Sequence, residues 1–158
     1  MWNDTQMEIE KAKKIFPEYF KNFTLPDCAR AQEIEVYRAC PTRKVEKASF
    51  LNSYEENGFS LDAGSDASDP GEYSLSTYTR LKDVARFVKI DSRYQPPFGL
   101  AKGKTAIECG PCCATKEWKN HYRSSHVDWW LYEGAEPWAY FDLIDYENEK
   151  QYLSQTTK

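Results

Sequence analysis

Apolar and polar residues alternate over residues 33–40, "EIEVYRAC", the two-residue period of a strand. Ile34, Val36 and Cys40 point one way and Glu33, Glu35 and Tyr37 the other, with Arg38 on the apolar side. A helical period appears in "TRLKDVARFVK", where Leu81, Val84, Ala85 and Val88 recur on one face. Near the start, Thr5 to Glu8 has the form of a capping box, and Ile9, Ala12 and Phe16 follow at helical spacing. Pro17 breaks that helix and opens a second short turn, "PEYFKNF". "LPDCARAQ" connects it to the first strand.

The pattern predicts a helix over 42–58, "TRKVEKASFLNSYEENG", stopped by Asn57 and Gly58. Residues 58–71 are dense in Gly, Ser and Asp and form a loop, and their aspartates do not fit the calcium-loop spacing. "EYSLST" resumes an extended segment, "QPPFGLAKGK" reads as a loop, and "KTAIEC" as a strand. "HVDWWLYEGAEPWAYFDLIDY" reads as two aromatic strands around a turn punctuated by Gly134 and Pro137. Residues 147–158 are polar, a frayed or short helical tail. With no internal repeat and no linker, residues 1–158 form a single domain. Helices lead and strands follow, so the fold class is α+β, with N-terminal helices packed on antiparallel sheet.

Composition narrows the function classes. A net charge of −4 supplies no field that draws the chain to nucleic acid or acidic lipid. No stretch approaches the roughly 20 apolar residues of a membrane span, and the N-terminus lacks the apolar run of a secretory signal. The five cysteines then read as reduced thiols in a cytoplasmic protein. The 11 Tyr, 8 Phe and 5 Trp suit twisted sheets and concave binding surfaces.

"AIECGPCCATK" offers three chemistries. Cys109 and Cys112 have the spacing of a redox dithiol, although Glu108 beside Cys109 raises a thiol pKa rather than lowering it. With His121 and His126 they also supply four ligands of the kind zinc accepts. The third possibility is small apolar groups buried near a strand end.

Three other features bear on function. Arg38, on the core side of a strand, needs either a route to solvent or an anion. Ser76, Thr77 and Tyr78 end a strand just before a helix, where Ser76, Thr77 and Thr79 compete as its N-cap or the small hydroxyls brace a catalytic carboxylate at the floor of a cleft. Glu133 and Glu136 flank the turn of the aromatic segment.

In this order, an early strand Arg, a Ser-Thr strand end and a late Glu, the chain resembles the ADP-ribosyltransferases over roughly residues 34 to 145. Tyr78 stands where that pattern has a second serine, and the glutamates are spaced Glu-x-x-Glu rather than Glu-x-Glu. The resemblance implies a split, curved pair of antiparallel sheets around an NAD-binding cleft. Arg38 would grip the NAD phosphates or ribose, Ser76, Thr77 and Tyr78 would support the cleft, and Glu133 would be the catalytic acid. "GKTAIECGP" and "HVDWWLYEGAEPWAYF" also look like small proteins of phages and prophages of Gram-positive bacteria, which implies a viral accessory role. The alternative function is therefore a non-enzymatic module that occludes a host protein. Its contact surface would be the hairpin carrying Trp129, Trp130, Tyr132, Trp138 and Tyr140, since strand neighbours point to opposite faces. Some of these rings must cover a second layer or form an exposed patch.

Overall fold

The strand β1 (Glu35–Cys40) is central, and burial on both sides explains its sequence. Val36 and Cys40 face one apolar layer, while Tyr37 and Ala39, on the opposite side, are equally buried in another. The computed structural model describes residues 14–89 and 98–156. The expected capping box at Thr5 to Glu8, the helix led by Ile9 and Ala12, and the first residues of the loop expected from 95 lie outside the described residues.

Five more strands join β1: β2 (Leu75–Tyr78), β3 (Gly99–Lys104), β4 (Cys112–Ala114), β5 (His126–Trp129) and β6 (Phe141–Ile144). They form one six-stranded antiparallel sheet in the order β4-β5-β2-β1-β3-β6. The fold is thus mixed α/β with a single continuous sheet, where the resemblance implies two. Among the described residues no helix is long and apolar enough to cross a membrane.

Two helices cover one face of the sheet. Helix α2 (Leu81–Val88) buries Leu81, Val84, Ala85 and Val88, the stripe read from sequence, against Tyr37 and Tyr78. It ends where Lys89 adopts a left-handed conformation. Helix α3 (Tyr146–Thr156) takes the place of the expected tail. Its Glu149 accepts hydrogen bonds from the Tyr37 hydroxyl and from Lys102 Nζ at 2.8 Å. Burial works against the Glu149 charge, but those two donors prevail and hold the carboxyl below its ordinary range. The opposite face buries Val36, Leu75, Val127, Trp129 and Phe141, with Phe50 above them.

Several expectations are corrected. The 42–58 segment is not one helix but a 3-10 turn, Lys47–Ser49, and a single turn α1 (Ser53–Glu56). Asn52 explains the restart, because its side chain accepts from Glu55 N while Glu55 caps Asn52 N in return. "GLAKGK" is not a loop but β3, the strand between β1 and β6. Its glycines, which looked like loop punctuation, answer to packing: a Cβ at Gly103 would overlap the Tyr140 carbonyl and the Phe141 ring. "KTAIEC" leaves the sheet after Lys104 and continues as a 3-10 turn, Ile107–Cys109.

The aromatic hairpin is also corrected. β5 pairs with β2 and β4, and β6 with β3 alone, so residues 130–140 cross the sheet instead of turning back. Trp129 and Trp130 then point to opposite layers, both fully buried. Trp129 lies on the sheet, and Trp130 lies in a separate aromatic cluster with Phe20, Tyr73 and the N-terminal turn Glu18–Asn22.

Cys28 and Cys113 form a disulfide across 85 residues, where all five cysteines were expected to be reduced. The cause is a local pairing no sequence spacing announces. Arg30 N donates to the Cys112 carbonyl at 3.2 Å, and Cys112 N donates back to Arg30 at 3.0 Å. That bridge lays the 24–32 connector along β4 and brings Cys28 to Cys113.

Candidate functional site

The crossover from β5 to β6 is pinned along its length before it reaches solvent. Trp130 N donates to Pro111, Tyr132 N to Cys109 at 2.8 Å and Glu133 N to Ile15 at 2.7 Å. Gly110 is required beneath it, since a Cβ there would overlap the Trp130 carbonyl. Gly134, at φ +75°, then turns the chain in the left-handed region. Leu131, Ala135 and Trp138 pack back on the core. Glu133 and Glu136 remain exposed, and no side-chain partner is found for either among the described residues.

Opposite this crossover stand the N-terminal turn and the 47–59 segment. Between them lies a cleft of about 360 Å³, within the size range of small-ligand sites. Among the described residues three carboxylates line it, Glu55, Glu133 and Glu136, with Lys47 as the basic lining residue, and Lys14 Nζ stands 5.9 Å from the centroid of the Tyr132 ring. The rings of Tyr19, Phe50, Tyr132 and Trp138 complete much of its wall. The Tyr19 hydroxyl accepts from Asn52 Nδ2 at 3.0 Å. Burial pushes its pKa well up against the Asn52 hydrogen bond, and the negative charges of Glu55 and Glu133 push the same way as burial, so the phenol stays protonated. No family model matches the chain, nor does any curated protein or solved structure. The reading of the site therefore rests on its own geometry.

Arg38 is not in that cleft but behind its wall. It is almost fully buried, with Nε donating to the Ser49 carbonyl at 3.1 Å and Nη1 to the Ser76 carbonyl at 2.9 Å. Nη2 lies 3.5 Å from the Leu51 carbonyl and 3.6 Å from Glu56 Oε1. Its guanidinium plane approaches the Phe50 ring at 5.9 Å. The fork thus meets three carbonyls and a half-exposed carboxylate, and it braces Phe50 and Leu51, whose other edges line the cleft.

The structure therefore brings Arg38 to the Ser76 backbone but leaves both apart from Glu133. Thr77 is buried and its hydroxyl donates to the Val127 carbonyl at 3.0 Å. Tyr78 packs between Phe87 of α2, whose ring is tilted to it, and His126, which it meets edge to face. Burial raises its phenol pKa to about 12. None of Ser76, Thr77 or Tyr78 lines the cleft.

Across from Ser76 stands a carboxylate the sequence did not single out. Asp128, 1% exposed, accepts from Ser74 Oγ, from Thr115 Oγ1 at 2.6 Å and from Trp118 Nε1 at 2.9 Å. Thr115 Oγ1 also lies 2.6 Å from His126 Nδ1. One hydroxyl carries one proton, so Thr115, which donates to Asp128, accepts from His126 Nδ1. Burial pushes the His126 pKa down despite the pull of Asp128. Every buried side-chain polar atom among the described residues is partnered.

This arrangement separates the four candidate zinc ligands. Cys109 and Cys112 face the sheet core, His126 bonds Thr115 on the other face, and His121 is exposed. Burial, with Glu108 adding to it, raises the Cys109 thiol to about 11, and burial raises Cys112 as well. Both are protonated thiols at neutral pH, the opposite of an activated dithiol.

Glu133, Glu136 and Trp138 were visible as an acidic, aromatic turn. Glu55 and Tyr19, the far wall, were not singled out. The one local signal was Asn52 followed three residues later by Glu55, which marks a helix start and so fixes where that carboxylate stands.

Proposed function

We propose that the protein is a binding module whose cleft receives a cationic side chain, a lysine ammonium or an arginine guanidinium, presented by a partner protein. The observation that carries this is the lining itself: among the described residues, three carboxylates against one lysine, set among aromatic rings in one concavity. A cation entering there gains charge-assisted hydrogen bonds from the carboxylates and attraction from the ring faces. The volume accommodates a long side chain with part of its flanking backbone. This is the partner-binding reading in a specific form, with the aromatic crossover as one jaw, and the resemblance to phage proteins makes a host protein the natural partner.

A second reading draws on the same cleft: ADP-ribosyl transfer from NAD, with Glu133 as the acid. Its support is that Glu133 stands beside aromatic rings able to stack on a planar base. Charge favours the first reading. A pyrophosphate would meet three carboxylates with Lys47 as the counter-charge, while the donors of Arg38 are committed to the carbonyls behind the wall.

Fluorescence titration tests both. Short acetylated peptides containing lysine or arginine are expected to change the tryptophan emission saturably, whereas norleucine and citrulline versions bind at least about tenfold more weakly. Equal response to charged and neutral peptides would overturn the proposal. Saturable NAD binding with nicotinamide release that Glu133→Gln abolishes would transfer the assignment to ADP-ribosyl transfer.

A further inference from the structure

Away from the cleft, the end of β4 assembles a different chemistry. The sulfurs of Cys28 and Cys113 and a carboxylate oxygen of Glu117 all lie within 4.8 Å of one another. Cys113 is buried in β4, and Glu117 follows four residues later in the 3-10 turn Thr115–Glu117 that continues the strand. Cys28 reaches them from the connector.

Contacts other than the S–S bond also hold these positions. The connector is held by the Arg30–Cys112 backbone bridge and by Gln32 Nε2, which donates to the Cys112 carbonyl at 2.7 Å. The turn is held by Thr115 and Trp118, both hydrogen-bonded to Asp128. Opening the disulfide therefore leaves two sulfurs and a carboxylate side by side. Tetrahedral zinc, with Zn–S near 2.3 Å and Zn–O near 2.1 Å, needs its ligand atoms about 3.5–3.8 Å apart, inside the 4.8 Å within which these three groups lie. Cys28 and Glu117 also line a second cleft, of about 440 Å³, with Asp27 and Trp118.

We propose that Cys28, Cys113 and Glu117 form a redox-gated site for a thiophilic divalent cation, zinc by ligand type. In the disulfide form neither sulfur is a thiolate and the site is closed. A dithiol reductant transfers two electrons and two protons to the Cys28–Cys113 bond and itself becomes a disulfide. The two thiols then release their protons as the metal binds, with Glu117 as third ligand and water as fourth.

Cobalt(II) reports on this directly. The full-length protein, reduced and freed of reductant under anaerobic conditions, is titrated with the cobalt ion and then with zinc. One equivalent should bind with a thiolate-to-cobalt charge-transfer band that zinc abolishes. The oxidised protein should show no band. Cys28→Ser should lose the band, and Glu117→Gln, at an exposed position that leaves the fold intact, should weaken uptake by about tenfold or more. Cys109→Ser should leave it unchanged. Absence of the band in the reduced wild type, or a band of equal affinity in Glu117→Gln and Cys28→Ser, would overturn the proposal. Neither result bears on the acidic cleft, whose lining shares no residue with this site.

Discussion

Arg38 and Asp128 lie within the sheet with their polar atoms matched to carbonyls, hydroxyls and an indole. Glu133 and Glu136 stand on the crossover with their carboxylates turned to a cleft and to solvent. The first pair is costly to desolvate and is kept only because every neighbour answers it. The second pair gains nothing from the fold that solvent does not already give. The contrast separates charge that specifies structure from charge left free to meet a ligand. It also explains why the most conspicuous residue of the sequence, the core-facing Arg38, donates to carbonyls behind the cleft wall and does not line the cleft.

Substitutions in the matched interior should have the largest effects. Arg38→Ala strands the Ser49 and Ser76 carbonyls and should cost about 3–5 kcal/mol of stability in chemical denaturation. Arg38→Lys should recover little, because an ammonium cannot reproduce the planar fork. A loss below about 1 kcal/mol would show that the clamp is incidental.

Asp128→Asn comes next. An amide nitrogen placed among the donors of Ser74, Thr115 and Trp118 should cost about 2–3 kcal/mol. Thermal melts of this variant combined with Thr115→Val should be strongly non-additive.

The pH dependence follows from His126, which burial holds below its ordinary pKa. The unfolded chain then binds more protons below pH about 6.5. The contribution of His126 is fully present above that value and is lost as pH falls toward the folded pKa, at up to about 1.4 kcal/mol per pH unit. Denaturation between pH 7 and 5 should show this slope in wild type and a flatter one in His126→Gln.

The smallest effect on stability belongs to the cleft. Glu133→Gln and Glu136→Gln should each shift stability by less than about 0.5 kcal/mol, since no side-chain partner is found for either among the described residues. A shift of more than about 1 kcal/mol would place these carboxylates with the interior group.

What the sequence displays is what local periodicity can carry. Alternation around Val36 and Tyr37 located β1, the stripe from Leu81 to Val88 located α2, and the Ser76–Thr77 stretch located β2. What it conceals is pairing between distant segments. β3 passed for a loop because Gly99 and Gly103 are demanded by Arg43 and Phe141, far away in the chain. The crossover passed for a hairpin because Gly134 and Pro137 look the same whether the next strand returns beside β5 or joins β3. Cys28 and Cys113 met through a bridge at Arg30 that no motif encodes. The cleft was half legible for the same reason: Glu133, Glu136 and Trp138 share one stretch, but Tyr19 and Glu55 reach it from two others.

A double-mutant cycle tests the central claim most directly, pairing Glu133→Gln in the protein with arginine→citrulline in the bound peptide, both read by isothermal titration. If the cleft carboxylate meets the peptide cation, each change alone should weaken binding by about tenfold and the second should add little to the first, a coupling of about 1 kcal/mol or more. Strict additivity, or a wild type that does not distinguish arginine from citrulline, would contradict the assignment of this cleft to a cation.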